Sequence, residues 1–147
     1  MIDLQKLIRP KIREFISFDY TPKEKQERGT THIMLDANEN PYNKPYNRYP
    51  SENQTTLKEE LAKLKGVKSK EIFLNNGSTE AIDMCYRIFC QPKIDNVVSI
   101  DPTCELYKRY AILNEVEYRP VRLNEDFQLK ASELLKACDK QTKLIWL

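Results

Sequence analysis

The chain has 147 residues, enough for one domain or for part of a larger one. Hydrophobic residues make up 40% of it and charged residues 31%, which indicates a folded protein rather than a disordered one. The 24 basic and 22 acidic residues nearly balance, so charge gives no reason to expect nucleic acid or an anionic membrane as a partner.

The first fifty residues are irregular, because prolines at five positions interrupt regular structure. Within them, the apolar residues from Leu4 to Ile16 follow helical spacing and predict a short amphipathic arm. The next segment, Ser51 to Gln54, fits a capping box and predicts the start of a helix. Leucines continue this helix as an apolar stripe, and Gly66 is its expected C-terminal cap.

From residue 72 onwards, short apolar runs alternate with helical patterns. We predict strands at 72–74, 96–100, 116–121 (interrupted late by Pro120) and 143–147, and helices at 79–90, 104–113 and 132–138. This alternation predicts an α/β fold, a three-layer sandwich with a mainly parallel sheet and helices on its faces. The final run is apolar on both faces, as in a central strand, and no polar tail follows it, so we expect a truncated domain.

The cysteines, the termini and the apolar runs bear on location. No two of the four cysteines form a C-x-x-C pair and the chain has one histidine, so we expect no zinc site. Cys85 and Cys90 lie among apolar residues, which predicts reduced core positions. No apolar run approaches the length of a membrane span, and the first residues lack the apolar core of a secretory signal. We therefore expect a cytoplasmic protein without a membrane partner.

Residues Asn75 to Glu80 link a predicted strand to a predicted helix. Gly77 permits a tight turn, and a helix start offers free N–H groups and a positive dipole end to a phosphate. Ser78 and Thr79 add hydroxyl donors. The same residues also fit a plain turn in which Ser78 is the N-cap, and a single glycine favours that interpretation.

A second polar group lies between prolines, in the segments Leu35–Pro41 and Asn47–Pro50. Its amides, carboxylates and arginine suit the binding of a polar ligand. They suit equally well a loop whose Asx turns bond to their own backbone. The residues alone do not separate these two interpretations.

Five segments, in order and at similar spacing, resemble the opening half of the histidinol-phosphate aminotransferases, pyridoxal-phosphate-dependent enzymes of fold type I. These segments are Leu35–Pro41, Asn47–Pro50, Gly77–Asp83, Arg87–Cys90 and Asp101–Thr103. The resemblance implies an N-terminal arm over residues 1–33 and the N-terminal part of the cofactor-binding large domain over residues 34–147. It also implies a cytoplasmic homodimer that moves an amino group between glutamate and imidazole-acetol phosphate, a phosphorylated precursor in histidine biosynthesis.

The resemblance implies site residues by position. The positions for the cofactor, pyridoxal 5′-phosphate, are Gly77, Ser78, Thr79, Cys104 and Tyr49. Tyr49 would reach the cofactor phosphate of the neighbouring subunit, which implies shared sites. The positions for the substrate are Tyr20, Asn38, Glu39 and Asn40.

This sequence departs from the family pattern at three places. The family has aspartate where Thr79 stands, and a tyrosine stacked on the cofactor ring where Cys104 stands. An aromatic contact adds ~0.5–1.5 kcal/mol beyond burial, so its loss costs up to roughly tenfold in cofactor affinity. Near the substrate, the family's Pro-Tyr-Ser-Ala-Arg has become the segment Ser17–Pro22. Phe18 or Tyr20 could still supply its ring.

The resemblance places the lysine that bonds the cofactor beyond Leu147. We therefore expect no catalytic residue within these 147 residues and no activity from them alone. Two alternatives remain open at this point. One is an enzyme similar to threonine-phosphate decarboxylase, and the other is a non-catalytic remnant or interaction module of the aminotransferase fold.

Overall fold

The computed structural model of the protein describes residues 3–17, 37–42, 47, 49–51 and 53–147. The chain divides into two compact units, Met1–Asp19 with Asn75–Leu147, and Tyr20–Leu74. The predicted boundary between the arm and the large domain, at residues 33 and 34, lies outside the described residues and stays a prediction. Among the described residues, no helix has the length and apolar character needed to cross a membrane.

The described residues form helices and strands that alternate in the C-terminal half. The helices are α1 (Leu4–Leu7), α2 (Pro10–Ser17), α3 (Thr55–Lys65), a short 3₁₀ helix (Ser69–Glu71), α4 (Ser78–Phe89), α5 (Glu105–Leu113) and α6 (Ala131–Lys136). The strands are β1 (Asn96–Asp101), β2 (Glu117–Arg122) and β3 (Thr142–Trp146). The predicted elements from residue 79 onwards are therefore confirmed within two residues at each end.

The three strands form one parallel sheet in the order β2-β1-β3. β1 lies in the centre and its Val97 and Val98 are fully buried, as expected for a strand covered on both faces. The prediction that the last strand is central is wrong for this sheet: β3 lies at an edge and Ile145 is 43% exposed. Pro120 does not interrupt β2, because the strand lies at the other edge, where a missing N–H costs no ladder bond.

Helices cover both faces of the sheet. On one face, α4, its C-cap Cys90 and α5 contribute Ile82, Tyr86, Cys90 and Ala111 to a buried cluster with Val97, against which Tyr118 packs. Arg119 follows Tyr118 and so faces the other way, where its guanidinium donates to the Ala137 carbonyl at the end of α6. This arrangement confirms the predicted α/β class with helices on both sides of a parallel sheet. It also confirms the predicted core position of Cys90.

A polar cluster ties the start of β3 to the other two strands. The buried Asn96 donates to Asp139 over 2.8 Å and accepts a hydrogen bond from Thr142 over 2.7 Å. Arg119 donates to the second oxygen of Asp139 over 2.6 Å. The hydrogen bonds from Asn96 and then from Arg119 favour the ionised carboxylate, and they hold the pKa of Asp139 well below its usual range.

The described part of the arm packs on the sheet-containing unit. α1 and α2 match the predicted helical pattern, with a break before Pro10, which lacks an N–H to continue a helix. Ile8 is buried, and the Arg9 N–H donates to the Ile88 carbonyl of α4 over 3.0 Å. This contact joins the first residues of the chain to the C-terminal end of α4.

Two predictions for the second unit are wrong. The expected capping box does not form: the Gln54 N–H donates to the Ser51 carbonyl in a turn, and α3 begins only at Thr55. The expected strand at residues 72–74 pairs with no strand among the described residues, and Phe73 is 61% exposed. A strand needs a neighbour for its ladder bonds, so three apolar residues do not define one. The C-terminal cap at Gly66 is confirmed, with φ of 66° and its N–H bonded to Ala62.

The Asp139 cluster predicts a pH dependence of stability. Because the folded pKa of Asp139 lies below its ordinary value of 3.8, its contribution to stability is present above that pH and is lost as the pH falls. The Asp139→Asn variant should therefore have a lower urea midpoint than the wild type at about pH 7, and a smaller fall on going to about pH 2. Asp126→Asn, a change at an exposed loop carboxylate, is the control. Equal acid sensitivity of Asp139→Asn and wild type would contradict the assignment.

Candidate functional site

The N-termini of α4 and α5 both lie at the carboxyl edge of the sheet. α4 ends at Phe89, and residues 91–95 lead from it to the start of β1. α5 begins after the end of β1 and leads back to the start of β2. Both helices therefore run against the strand direction. Open parallel sheets bind their ligands outside the carboxyl ends of the strands, which makes this edge the candidate site.

The predicted turn into α4 is confirmed. Gly77 is the N-cap, with φ of 84° and ψ of 169°, and α4 begins at Ser78. No side chain caps the helix, so the interpretation of Ser78 as N-cap is wrong, and the first N–H groups are left for a ligand. A methyl group at residue 77 would meet no atom within 4 Å, so glycine is required there by its backbone conformation and not by crowding.

The donors at this turn fit a phosphate group. Ser78 and Thr79 are exposed, and their hydroxyls accompany the uncapped N–H groups of the helix. Glu80 works against an anion, because its carboxylate also lies in the first turn and accepts hydrogen bonds from the backbone and side-chain nitrogens of Asn76. These bonds fix the turn before Gly77. They also place one negative charge at the positive end of the helix dipole, which weakens its attraction for an anion.

Cys104 is the N-cap of α5 and is exposed at the same edge. Its carbonyl accepts a hydrogen bond from the Tyr107 N–H over 3.1 Å, which forms the first turn of the helix. The side chain makes no capping bond. The position thus offers a small thiol surface where the family pattern has an aromatic ring.

An aromatic cluster lies beneath the first turn of α5, and the sequence analysis missed it. The fully buried Tyr86 donates from its hydroxyl to the Tyr107 carbonyl over 2.7 Å and accepts from the Trp146 indole N–H over 2.9 Å. Trp146 stacks on Tyr107, with ring centroids 4.7 Å apart. Burial raises the pKa of Tyr86, so its hydroxyl stays protonated and can donate. The available signal was the four-residue spacing of Ile82 and Tyr86 on the apolar face of α4.

The second polar group forms a loop that is bonded to itself. Asn40 accepts the Tyr42 N–H on its side-chain oxygen over 2.9 Å, which is an Asx turn, and its carbonyl accepts from the Asn47 amide over 2.7 Å. Glu39 accepts the Tyr49 N–H over 2.9 Å. Of the two interpretations left open by the sequence, the Asx-turn loop is the one that the described residues show. The Tyr49 ring is 66% exposed and extends from this loop.

The structure distributes the predicted site residues over the two units. Gly77, Ser78, Thr79 and Cys104 belong to the sheet-containing unit, at its carboxyl edge, and Asn38, Glu39, Asn40 and Tyr49 belong to the loop of the second unit. Tyr20, like Phe18, lies outside the described residues. The binding roles of all these residues stay predictions.

Comparison with known proteins places the chain among aminotransferases. The family model for aminotransferase class I and II matches residues 19–147. Histidinol-phosphate aminotransferases from Bacteroides fragilis and Parabacteroides distasonis are 49% and 46% identical over 147 residues, which is 100% of this chain and 42% of each relative. One from Christiangramia forsetii is 39% identical over 145 residues, covering 99% of this chain and 41% of that protein. The chain thus spans about two-fifths of the length of these relatives.

A solved structure shows the same fold. A crystal structure named as an aminotransferase, from Burkholderia pseudomallei, superimposes with a TM-score of 0.55 at 17% sequence identity. The match covers 68% of this chain and 30% of that one. At this identity the match shows the fold of the chain.

The two described glycines with positive φ predict different responses to substitution. Gly77→Asn should destabilise the protein by about 1–3 kcal/mol, because φ of 84° with ψ of 169° is a region open almost only to glycine. Gly66→Asn should cost less than about 1 kcal/mol, because φ of 66° with ψ of 30° is the left-handed helical region that asparagine tolerates. Urea unfolding followed by circular dichroism measures both. Equal losses would show that the Gly77 turn is not formed as described.

Proposed function

Because this chain belongs to the aminotransferase class I and II family, we propose that it forms the N-terminal part of a histidinol-phosphate aminotransferase. The complete enzyme would move an amino group between glutamate and imidazole-acetol phosphate. The observation that carries the proposal is the 49% identity to the Bacteroides fragilis relative over all 147 residues. The proposal includes pyridoxal 5′-phosphate as cofactor, a homodimeric state and a cytoplasmic location.

The start of α4 would hold the phosphate of the cofactor. The uncapped N–H groups of the helix and the exposed hydroxyls of Ser78 and Thr79 supply the donors, and Gly77 gives the turn that leaves them accessible. A helix N-terminus favours an anion by roughly 0.3–2 kcal/mol, so the phosphate would be oriented here more than captured. When bound, the cofactor would supply an electron sink for the bonds at the amino-bearing carbon.

Cys104 would lie at the ring of the cofactor. Its thiol gives no aromatic stacking, and a ring at this position would add ~0.5–1.5 kcal/mol. Thr79, in the place of the family's aspartate, adds a hydroxyl donor and removes a negative charge, and both changes favour a phosphate at this helix start. The missing ring at residue 104 predicts weaker cofactor binding than in relatives that have the family's tyrosine.

The loop of the second unit would serve the substrate and the partner subunit. Asn38, Glu39 and Asn40 would line the substrate side, together with Tyr20. Tyr49 would reach the cofactor phosphate of the neighbouring subunit. The exposure of the Tyr49 ring supports this role, because its backbone holds the loop through Glu39 while the ring is left uncovered.

A second candidate function, a non-catalytic module with the same fold, is favoured by Cys104. The exposed thiol stands where the enzyme family has a ring, and it makes no capping bond that would give it a structural reason. The aminotransferase and the non-catalytic module make different predictions. Only the aminotransferase should transfer amino groups when residues 1–147 are joined to the rest of an enzyme.

A hybrid enzyme tests the proposal. Residues 1–147 replace the matching part of the Bacteroides fragilis relative, which supplies the portion that this chain does not span. We expect the hybrid to transfer amino groups from glutamate to imidazole-acetol phosphate and to rescue a histidine auxotroph that lacks this enzyme. Cys104→Tyr in the hybrid should tighten cofactor binding by up to about tenfold, because it restores the stacked ring.

Two controls accompany the test of the hybrid enzyme. Cys104→Ser provides no ring and should give no gain in cofactor affinity. The 147-residue chain alone should show no amino transfer and no stoichiometric lysine adduct after borohydride reduction, because none of its lysines lies at a matching motif position. A folded hybrid that binds the cofactor but transfers no amino group would contradict the proposed enzyme and favour the non-catalytic module.

A further inference from the structure

We infer that Tyr86 is a positioning residue, whose buried hydroxyl fixes the first turn of α5 and so holds Cys104 at the carboxyl edge of the sheet. That Cys104 meets a cofactor there rests on the proposed function. The positioning of the turn itself does not, because it follows from contacts within the sheet-containing unit.

A short chain of hydrogen bonds joins Tyr86 to Cys104. The Tyr86 hydroxyl donates to the Tyr107 carbonyl over 2.7 Å, and the Tyr107 N–H donates to the Cys104 carbonyl over 3.1 Å. Tyr107 is the third residue of α5, so its peptide groups lie in the first turn of the helix. Two hydrogen bonds and one residue therefore separate a fully buried group of α4 from the N-cap of α5.

Trp146 sets the direction of the Tyr86 hydroxyl. Its indole N–H donates to the hydroxyl oxygen over 2.9 Å, and the two rings lie 5.7 Å apart. A phenol has a single proton to donate, so an incoming donor on one side directs that proton towards the Tyr107 carbonyl on the other. Trp146 ends β3 and stacks on Tyr107, with an angle of 7° between the ring planes. The last residue of β3, the last turn of α4 and the first turn of α5 thus meet at one hydroxyl group.

The Tyr86 hydroxyl makes a hydrogen bond that the packing of its ring alone would not supply. In an α-helix the Tyr107 carbonyl also accepts the N–H four residues further on, so the Tyr86 hydroxyl occupies its second lone pair. A phenylalanine at residue 86 would keep the ring in the core. It would also leave the Trp146 N–H without its partner and remove the lateral bond to the first turn of α5. The Tyr86→Phe variant therefore isolates the positioning bond from the packing of the ring.

Hydrogen exchange on the 147-residue chain tests the positioning directly. In Tyr86→Phe, amides of the first turns of α5 should exchange up to about tenfold faster than in the wild type, while amides of β1 change by less than about twofold. Tyr110→Phe is the matched control: this half-buried tyrosine is on the same helix, and its hydroxyl makes no hydrogen bond with described residues. If the exchange rates rise equally over β1 and α5, Tyr86 is a general core residue and the inference is wrong. If the exchange rates of α5 do not rise, the positioning role is also wrong.

Trp146→Phe separates the stacked ring from the hydroxyl. This variant keeps an aromatic ring on Tyr107 and leaves the Tyr86 hydroxyl able to donate, so α5 should be loosened less than in Tyr86→Phe. A larger effect of Trp146→Phe would overturn the inference, because stacking and not the hydroxyl would then hold the turn. The comparison also serves if Tyr86→Phe folds poorly, since a well-folded Trp146→Phe chain whose α5 amides exchange more than about tenfold faster than in the wild type would contradict the role of the hydroxyl.

A ligand titration distinguishes this inference from the proposed function. Pyridoxine 5′-phosphate is the probe, because it has the ring and the phosphate but no aldehyde to react with lysines, and inorganic phosphate is the comparison. The emission of Trp146, the single tryptophan, reports binding. Tyr86→Phe should lower the affinity for the probe by about threefold to tenfold. The affinity for inorganic phosphate should not change, since α4 holds the phosphate. An equal loss of affinity for pyridoxine 5′-phosphate and for inorganic phosphate would count against the inference. A wild-type chain that binds neither would count against the proposed function, and the exchange result would then decide the inference alone.

Discussion

Burial of β1 on both faces is the constraint on which the rest of the sheet-containing unit depends. Val97 and Val98 point to opposite faces and are both fully buried, so helices must cover each side. Parallel neighbours on both sides of β1 require crossover connections, which contain α5 and α6, so these helices run against the strands. α4 leads into β1 through the short segment 91–95 and runs against it as well. One buried strand therefore brings two helix N-termini to a single edge, which is where the candidate phosphate and ring positions lie.

The elements that the sequence predicts well are those whose periodicity spans a whole element. The run at 96–100 contains three β-branched apolar residues, Val97, Val98 and Ile100, and becomes β1. The helical spacing at 79–90 becomes α4 with its start shifted by one residue. The short patterns failed. Three apolar residues at 72–74 do not define a strand without a neighbour, and the Ser51–Gln54 pattern satisfies a turn as readily as a helix start.

The candidate site also contains residues that the local sequence predicts and contacts that it does not predict. Gly77 is predictable, because its backbone conformation is one that almost only glycine adopts. The Tyr86–Trp146 bond joins residues 60 positions apart, and the Asn96–Asp139 bond joins residues 43 apart, so no local pattern could indicate either. Predicted binding roles for Asn40 and Glu39 compete with contacts that hold their own loop. The polar residues of this loop therefore form its turn, and a binding role for them stays a prediction.

The proposed function claims an anion site at the start of α4, at the carboxyl edge of the sheet. The most direct test is a titration of the isotopically labelled chain with inorganic phosphate, followed by amide chemical shifts. The claim predicts saturable shifts concentrated at Gly77, Ser78 and Thr79, which are reduced in Gly77→Asn. Shifts confined to the exposed lysines of α3, with none at the start of α4, would contradict it.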